Sequence, residues 1–80
     1  MPTYFFDTVE GAVLFHDDEG IELPGSDEAE AMARHALADL AKEKLLENNL
    51  EPLIIEVRDR EDGPLARYVL TPKRTALNGT

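Results

Sequence analysis

"GSDEAEAMARHALADLAKEKLLENN", residues 25–49, holds the longest run with one clear period in this 80-residue chain. Ala29, Ala33, Ala36, Leu37, Leu40, Ala41 and Leu45 recur at spacings of three and four, the pattern of one apolar stripe on an α-helix, with Met32 at its border. Ser26 follows Pro24-Gly25 and stands where an N-cap hydroxyl is expected. Asp27, Glu28 and Glu30 fall in the first turn and Lys42 and Lys44 come late, as the helix dipole favours. Glu30–Arg34 and His35–Asp39 are four apart on the outer side, the spacing of exposed polar pairs. Asn48-Asn49 and then Pro52 end the pattern. A helix over 26–47 spans about 33 Å at 1.5 Å per residue. That length crosses a small sheet, and the alanines allow a close approach to it.

The flanking segments supply that sheet. "TYFFD" (3–7) is short and aromatic, which predicts a strand with Tyr4 and Phe6 on one face and Phe5 on the other. "TVEG" (8–11) reads as the turn, and "AVLFH" (12–16) as a second strand with Val13 and Phe15 opposite Leu14. After the helix, "LIIEVRD" (53–59) alternates Leu53, Ile55 and Val57 against Ile54, Glu56 and Arg58. A turn centred on Asp62-Gly63 leads to "LARYVLT" (65–71), with Ala66, Tyr68 and Leu70 on the core side and Pro72 as the stop. The predicted fold class is α+β, β-β-α-β-β: a four-stranded antiparallel sheet in the order 2-1-3-4 with one long helix on one face. Residues 1–72 form the single domain, and residues 73–80 read as a disordered tail.

One helix covers one face. The other would present Phe5, Leu14, Ile54 and Val69 to water, and an exposed apolar patch of that kind marks an interface. The expectation is a homodimer through the open face or a sheet edge.

Composition narrows the function. There is no cysteine, which excludes disulfides, thiolate catalysis and zinc–thiolate sites and fits a cytoplasmic location. The start has no basic, apolar leader, and no run approaches the roughly 20 apolar residues of a membrane span. Eight Lys and Arg face seventeen Asp and Glu, a net charge of −9. All of that excess sits in residues 1–33, where Asp7, Glu10, Asp17, Asp18, Glu19, Glu22, Asp27, Glu28 and Glu30 meet no Lys or Arg. Such a surface repels nucleic-acid phosphates and anionic lipid and attracts a basic protein partner. Lys73 and Arg74 are the one basic pair outside the helix, so nucleic acid is not the expected partner.

"HDDEG" (16–20) is the one stretch that resembles a metal loop. An EF-hand register with Gly20 at its sixth position puts Phe15 at the first and Ser26 at the twelfth, which fails the ligand pattern. A looser divalent-cation or small-ligand site on His16, Asp17, Asp18 and Glu19 is the alternative reading. The structural one has the charges solvating a loop, Gly20 bending it, and Ile21 and Leu23 anchoring it. Nucleophilic catalysis by Ser26 would need a base and an orienting acid around it, whereas its position just before the helix already explains it as a cap; no glycine loop cradles phosphate, so no catalytic residue and no cofactor is assigned.

"MPTYFFD", "DDEGIELP" and "IEVRD" followed by Gly63-Pro64, in that order, resemble a family of short bacterial proteins, mostly alphaproteobacterial, classed as a domain of unknown function. The resemblance runs over about residues 1–72 and departs at the helix start, where Pro24-Gly25-Ser26 replaces the usual Pro-Asp. It supports the boundaries and the bacterial, cytoplasmic expectation, and it implies no mechanism. The whole points to a small non-enzymatic interaction module with an acidic N-terminal surface.

Overall fold

A computed structural model describes residues 1–78. The elements are β1 (Thr3–Glu10), β2 (Val13–Phe15), β3 (Ile21–Glu22), α1 (Ser26–Leu46), β4 (Leu53–Asp59) and β5 (Gly63–Leu70). The sheet is antiparallel in the order β2-β1-β4-β5, as the α+β reading expects, with a fifth short strand, β3, added beside β1.

β1 is longer than its aromatic start suggested. Thr8, Val9 and Glu10 pair with β2 and β4 rather than turning, and the turn contracts to Gly11-Ala12 between the partners Glu10 and Val13. Gly11 takes φ +61°, and its N–H bonds to the Pro52 carbonyl at 2.9 Å. A glycine with positive φ at the first central position suits the right-handed twist of a two-residue hairpin.

The helix runs as predicted to within a residue, but its caps differ. Ser26 is the first helical residue; Gly25 occupies the N-cap, and no side chain caps the end. At the other end Asn48 adopts φ 57°, the Asn48 N–H bonds to Leu45 O at 3.0 Å, and the Asn49 N–H to Lys44 O at 2.8 Å. These are the paired bonds of a Schellman stop with Asn in the left-handed position.

Ala29, Ala33, Leu37 and Ala41 are the buried helix residues, and Leu40 packs at their edge. Ala36 and Leu45, also read as part of the stripe, lie exposed. Helix and sheet enclose one core with Tyr4, Leu53, Ile55 and Val57, flanked by Phe6, Leu23 and Tyr68. The helix packs on β4 and β5 instead of crossing the full sheet, so β2 lies outside its cover. A bulge at Leu65 shifts the β4–β5 register, since Val57 pairs with Ala66 and Arg58 with Pro64.

Beyond Leu70 the described residues contain no further helix or strand. Gly79 and Thr80, the end of the expected tail, lie outside the described residues. Among the described residues no helix is long and apolar enough to cross a membrane.

Candidate functional site: an arginine-centred cluster on the open face

Thr8 pairs with Phe15, and Tyr4 with Ile21, so Phe5–Asp7 of β1 face the longer segment His16–Gly20. The surplus chain folds over the sheet instead of continuing the ladder. Asp17 replaces the missing strand: its Oδ2 accepts the Phe6 backbone N–H at 3.0 Å, while Oδ1 accepts the N–H groups of Glu19 (3.0 Å) and Gly20 (3.1 Å). The Asp17 N–H in turn donates to Asp7 Oδ1 at 2.9 Å. Gly20 makes the bend with φ +73°, and a Cβ there would stand 2.8 Å from both Phe5 Cε1 and Thr3 Cγ2. Glycine is therefore required for conformation and for space.

Arg58 of β4 ties this loop to the sheet. Its Nε donates to Asp7 Oδ2 at 2.7 Å, and its Nη2 reaches Asp7 Oδ1 at 3.3 Å and the Asp17 carbonyl at 2.9 Å. The guanidinium lies 4.6 Å from the centroid of Phe5, its cross-strand neighbour, and Arg60 lies 5.5 Å from the same ring. Phe5 is on the predicted open face, yet it is only 8% exposed. The exposure expected of Phe5 is not observed: a loop and two cations already cover it, in the manner of a desolvated cation–π contact.

The electrostatics follow from these contacts. The Arg58 hydrogen bond holds the Asp7 carboxyl below its ordinary pKa against the opposing effect of burial. For Asp17 burial acts upward, but the N–H donors of Gly20, Phe6 and Glu19 outweigh it, and the pKa is lowered. Arg58 is raised, chiefly by its bond to Asp7. His16 Nδ1 sits 3.1 Å from Asp7 Oδ1 and its Nε2 3.4 Å from the exposed Asp18.

Of the proposed cation ligands, His16, Asp17 and Asp18 gather around Arg58, whereas Glu19 joins through its backbone N–H. Asp17 spends its oxygens on three amides, and the neighbouring guanidinium adds positive charge. Among the described residues no group of three or more His, Cys, Asp or Glu is arranged to hold a metal ion. Sequence reasoning missed Asp7 and Arg58, which come from strands far apart in the chain. The available signal was their shared face once the first and third predicted strands are paired antiparallel.

Beyond the Glu56–Arg67 pair, the far end of the open face is apolar and uncovered. Leu14 is 62% and Val69 58% exposed, with half-buried Val9 and Ile54 beside them. An open concavity of about 330 Å³ lies where this patch meets the charged cluster, walled by Val9, Leu14 and Ile54 and by Asp7, His16 and the Glu56–Arg67 pair. Arg67 Nη2 donates to Glu56 Oε2 at 2.7 Å. Elsewhere, His35–Asp39 is a solvated pair at 3.4 Å, and Glu30 and Arg34 both bond the Tyr68 hydroxyl, at 3.0 and 2.8 Å.

The chain belongs to the family described as a domain of unknown function, DUF6894, whose model matches residues 3–71. No curated protein and no solved structure matches it.

Proposed function

We propose that this chain is an interaction module that acts by protein contact rather than by catalysis, and that it pairs with a second copy through the apolar end of its open sheet face. The observation that carries this reading is the exposure of Leu14 and Val69 beside Val9 and Ile54, on the side away from the helix. Patches of this kind mark interfaces on small soluble domains.

The charge around the patch favours a second copy as its occupant. The chain carries −9, yet on this face Asp7 is matched by Arg58 and Glu56 by Arg67. Two acidic molecules meet with least repulsion where each is locally neutral. A two-fold contact also lets one patch serve as both halves of the interface. Catalysis is disfavoured because the carboxylates of the cluster are committed: Asp7 to a guanidinium and Asp17 to backbone amides. The divalent-cation alternative is weakened by the same commitment.

Sedimentation equilibrium of the wild type and of Leu14→Glu with Val69→Glu tests the reading. The expected result is a dimer that dissociates on substitution, with the monomer's circular dichroism unchanged. A wild-type mass that stays monomeric at about 200 μM would exclude any interface of useful affinity.

A further inference from the structure

β2 ends the sheet: among the described residues no strand lies on its far side. Its three side chains are all large, apolar and more than half exposed, Val13 at 54%, Leu14 at 62% and Phe15 at 51%. Val13 and Phe15 point to the helix side of the sheet, where α1 leaves this strand uncovered, and Leu14 points to the open face.

The backbone is equally available. The Gly11 N–H goes to Pro52 and the Phe6 N–H to Asp17, so even-numbered residues of β1 bond toward β2 and odd-numbered ones toward β4. In the alternation of an antiparallel pair, Val13 and Phe15 therefore bond to β1, while the N–H and C=O of Leu14, opposite Val9, point outward.

The other sheet edge is guarded. β5 carries Pro64 and a bulge at Leu65, two devices that block strand addition. β2 carries neither. Beyond the Phe15 end of β2 the edge turns acidic: Asp18 and Glu19 are exposed, Glu22 follows farther along the same side of β1 opposite Thr3, and residues 1–33 contain no Lys or Arg. At the other end of β2, Glu10 is paired with Lys44 at 3.0 Å, and the Glu51 carboxylate lies against the Gly11 turn.

We propose that the β2 edge receives an extended apolar segment of another protein, flanked by Lys or Arg, as an added antiparallel strand. Main-chain bonds to Leu14 provide the docking. Val13 and Phe15 on one face and Leu14 on the other read alternate partner residues, and the three carboxylates select basic flanks. A second copy is disfavoured at this edge, because the exposed Asp18 and Glu19 of each molecule would meet another chain of net charge −9 whose residues 1–33 offer no Lys or Arg to pair with them. This proposal does not require pairing through the open face, with which it shares the Leu14 side chain; it rests in addition on the outward main chain of Leu14 and on Val13 and Phe15.

The test uses a blocked synthetic peptide, Lys-Lys-Val-Ile-Val-Lys-Lys, and its counterpart with Glu for every Lys, titrated into the full-length ¹⁵N-labelled chain. The lysine peptide is expected to slow exchange of the Leu14 amide about tenfold or more at saturation, and its affinity is expected to fall about tenfold between roughly 50 and 300 mM salt. The glutamate peptide is expected to leave Leu14 unchanged. Val13→Thr with Phe15→Thr keeps strand propensity and removes the apolar contacts; it is expected to weaken the lysine peptide about fivefold or more while the Tyr4 and Val57 amides keep their protection. Equal binding of both peptides, perturbation centred on β5, or a Leu14 amide that the lysine peptide leaves unprotected at saturation would each overturn the proposal.

Discussion

Asp17 Oδ2 accepts the backbone N–H of Phe6 at 3.0 Å, in the place where an edge-strand carbonyl would otherwise stand. One side chain thus completes the ladder between β2 and β3 and converts an acidic loop into part of the sheet. Asp17→Ala leaves three N–H donors without their acceptor. The expected cost is about 2–3 kcal/mol in urea unfolding, since bonds to a charged acceptor exceed neutral ones. Asp18→Ala, whose exposed side chain lies 3.4 Å from His16, is expected to change stability by less than about 0.5 kcal/mol.

Gly20 and Gly63 both hold positive φ, +73° and +79°, but differ in surroundings. An added Cβ at Gly63 meets nothing within 4 Å, so Gly63→Ala is expected to cost only the left-handed strain, about 1 kcal/mol. Gly20→Ala adds a collision with Phe5 and Thr3 and is expected to cost about 2–3 kcal/mol. Thermal melts of the two variants side by side measure the difference.

Acid is expected to loosen the loop first. Asp7 and Asp17 both have folded pKa values below the ordinary 3.8, so their contribution is present above that value and is lost as pH falls through it toward the lower folded values. Urea midpoints measured from pH 6 to pH 3 should drop most steeply below about pH 4. The drop should be smaller in Asp17→Asn, which removes one of the two titrations.

Arg58→Lys is expected to behave as a disruptive change although the charge is kept. A lysine ammonium cannot make the forked contact to Asp7, reach the Asp17 carbonyl and cover the Phe5 ring at once. A loss of about 1–2 kcal/mol and faster exchange of the Phe6 amide are expected.

Asn48 closes the helix with φ 57°. Asn48→Ala is expected to cost about 1 kcal/mol, while Leu45→Ser on the exposed side of the same turn should stay within about 0.5 kcal/mol of wild type. Guanidinium denaturation of the pair would show whether the stop or the apolar stripe sets the end of the helix.

Local periodicity determined the elements. Four-residue spacing from Ala29 to Ala41 and two-residue alternation from Leu53 to Val57 each specify a face, and any core must use those faces. These made the helix, β4, the antiparallel order of the main strands and the uncovered side of the sheet legible from the chain alone, but not the second half of β1. The tertiary structure decided what no period encodes. The pairing of β1 with β4 sets Phe5 beside Arg58, covering the Phe5 end of the supposed open face, and it sets Asp7 beside the loop that Asp17 rebuilds. Charged residues in a loop carry no period. Whether they solvate a turn, ligate an ion or finish a sheet depends on which backbone amides the rest of the chain leaves without a partner, and that is settled only when the strands meet.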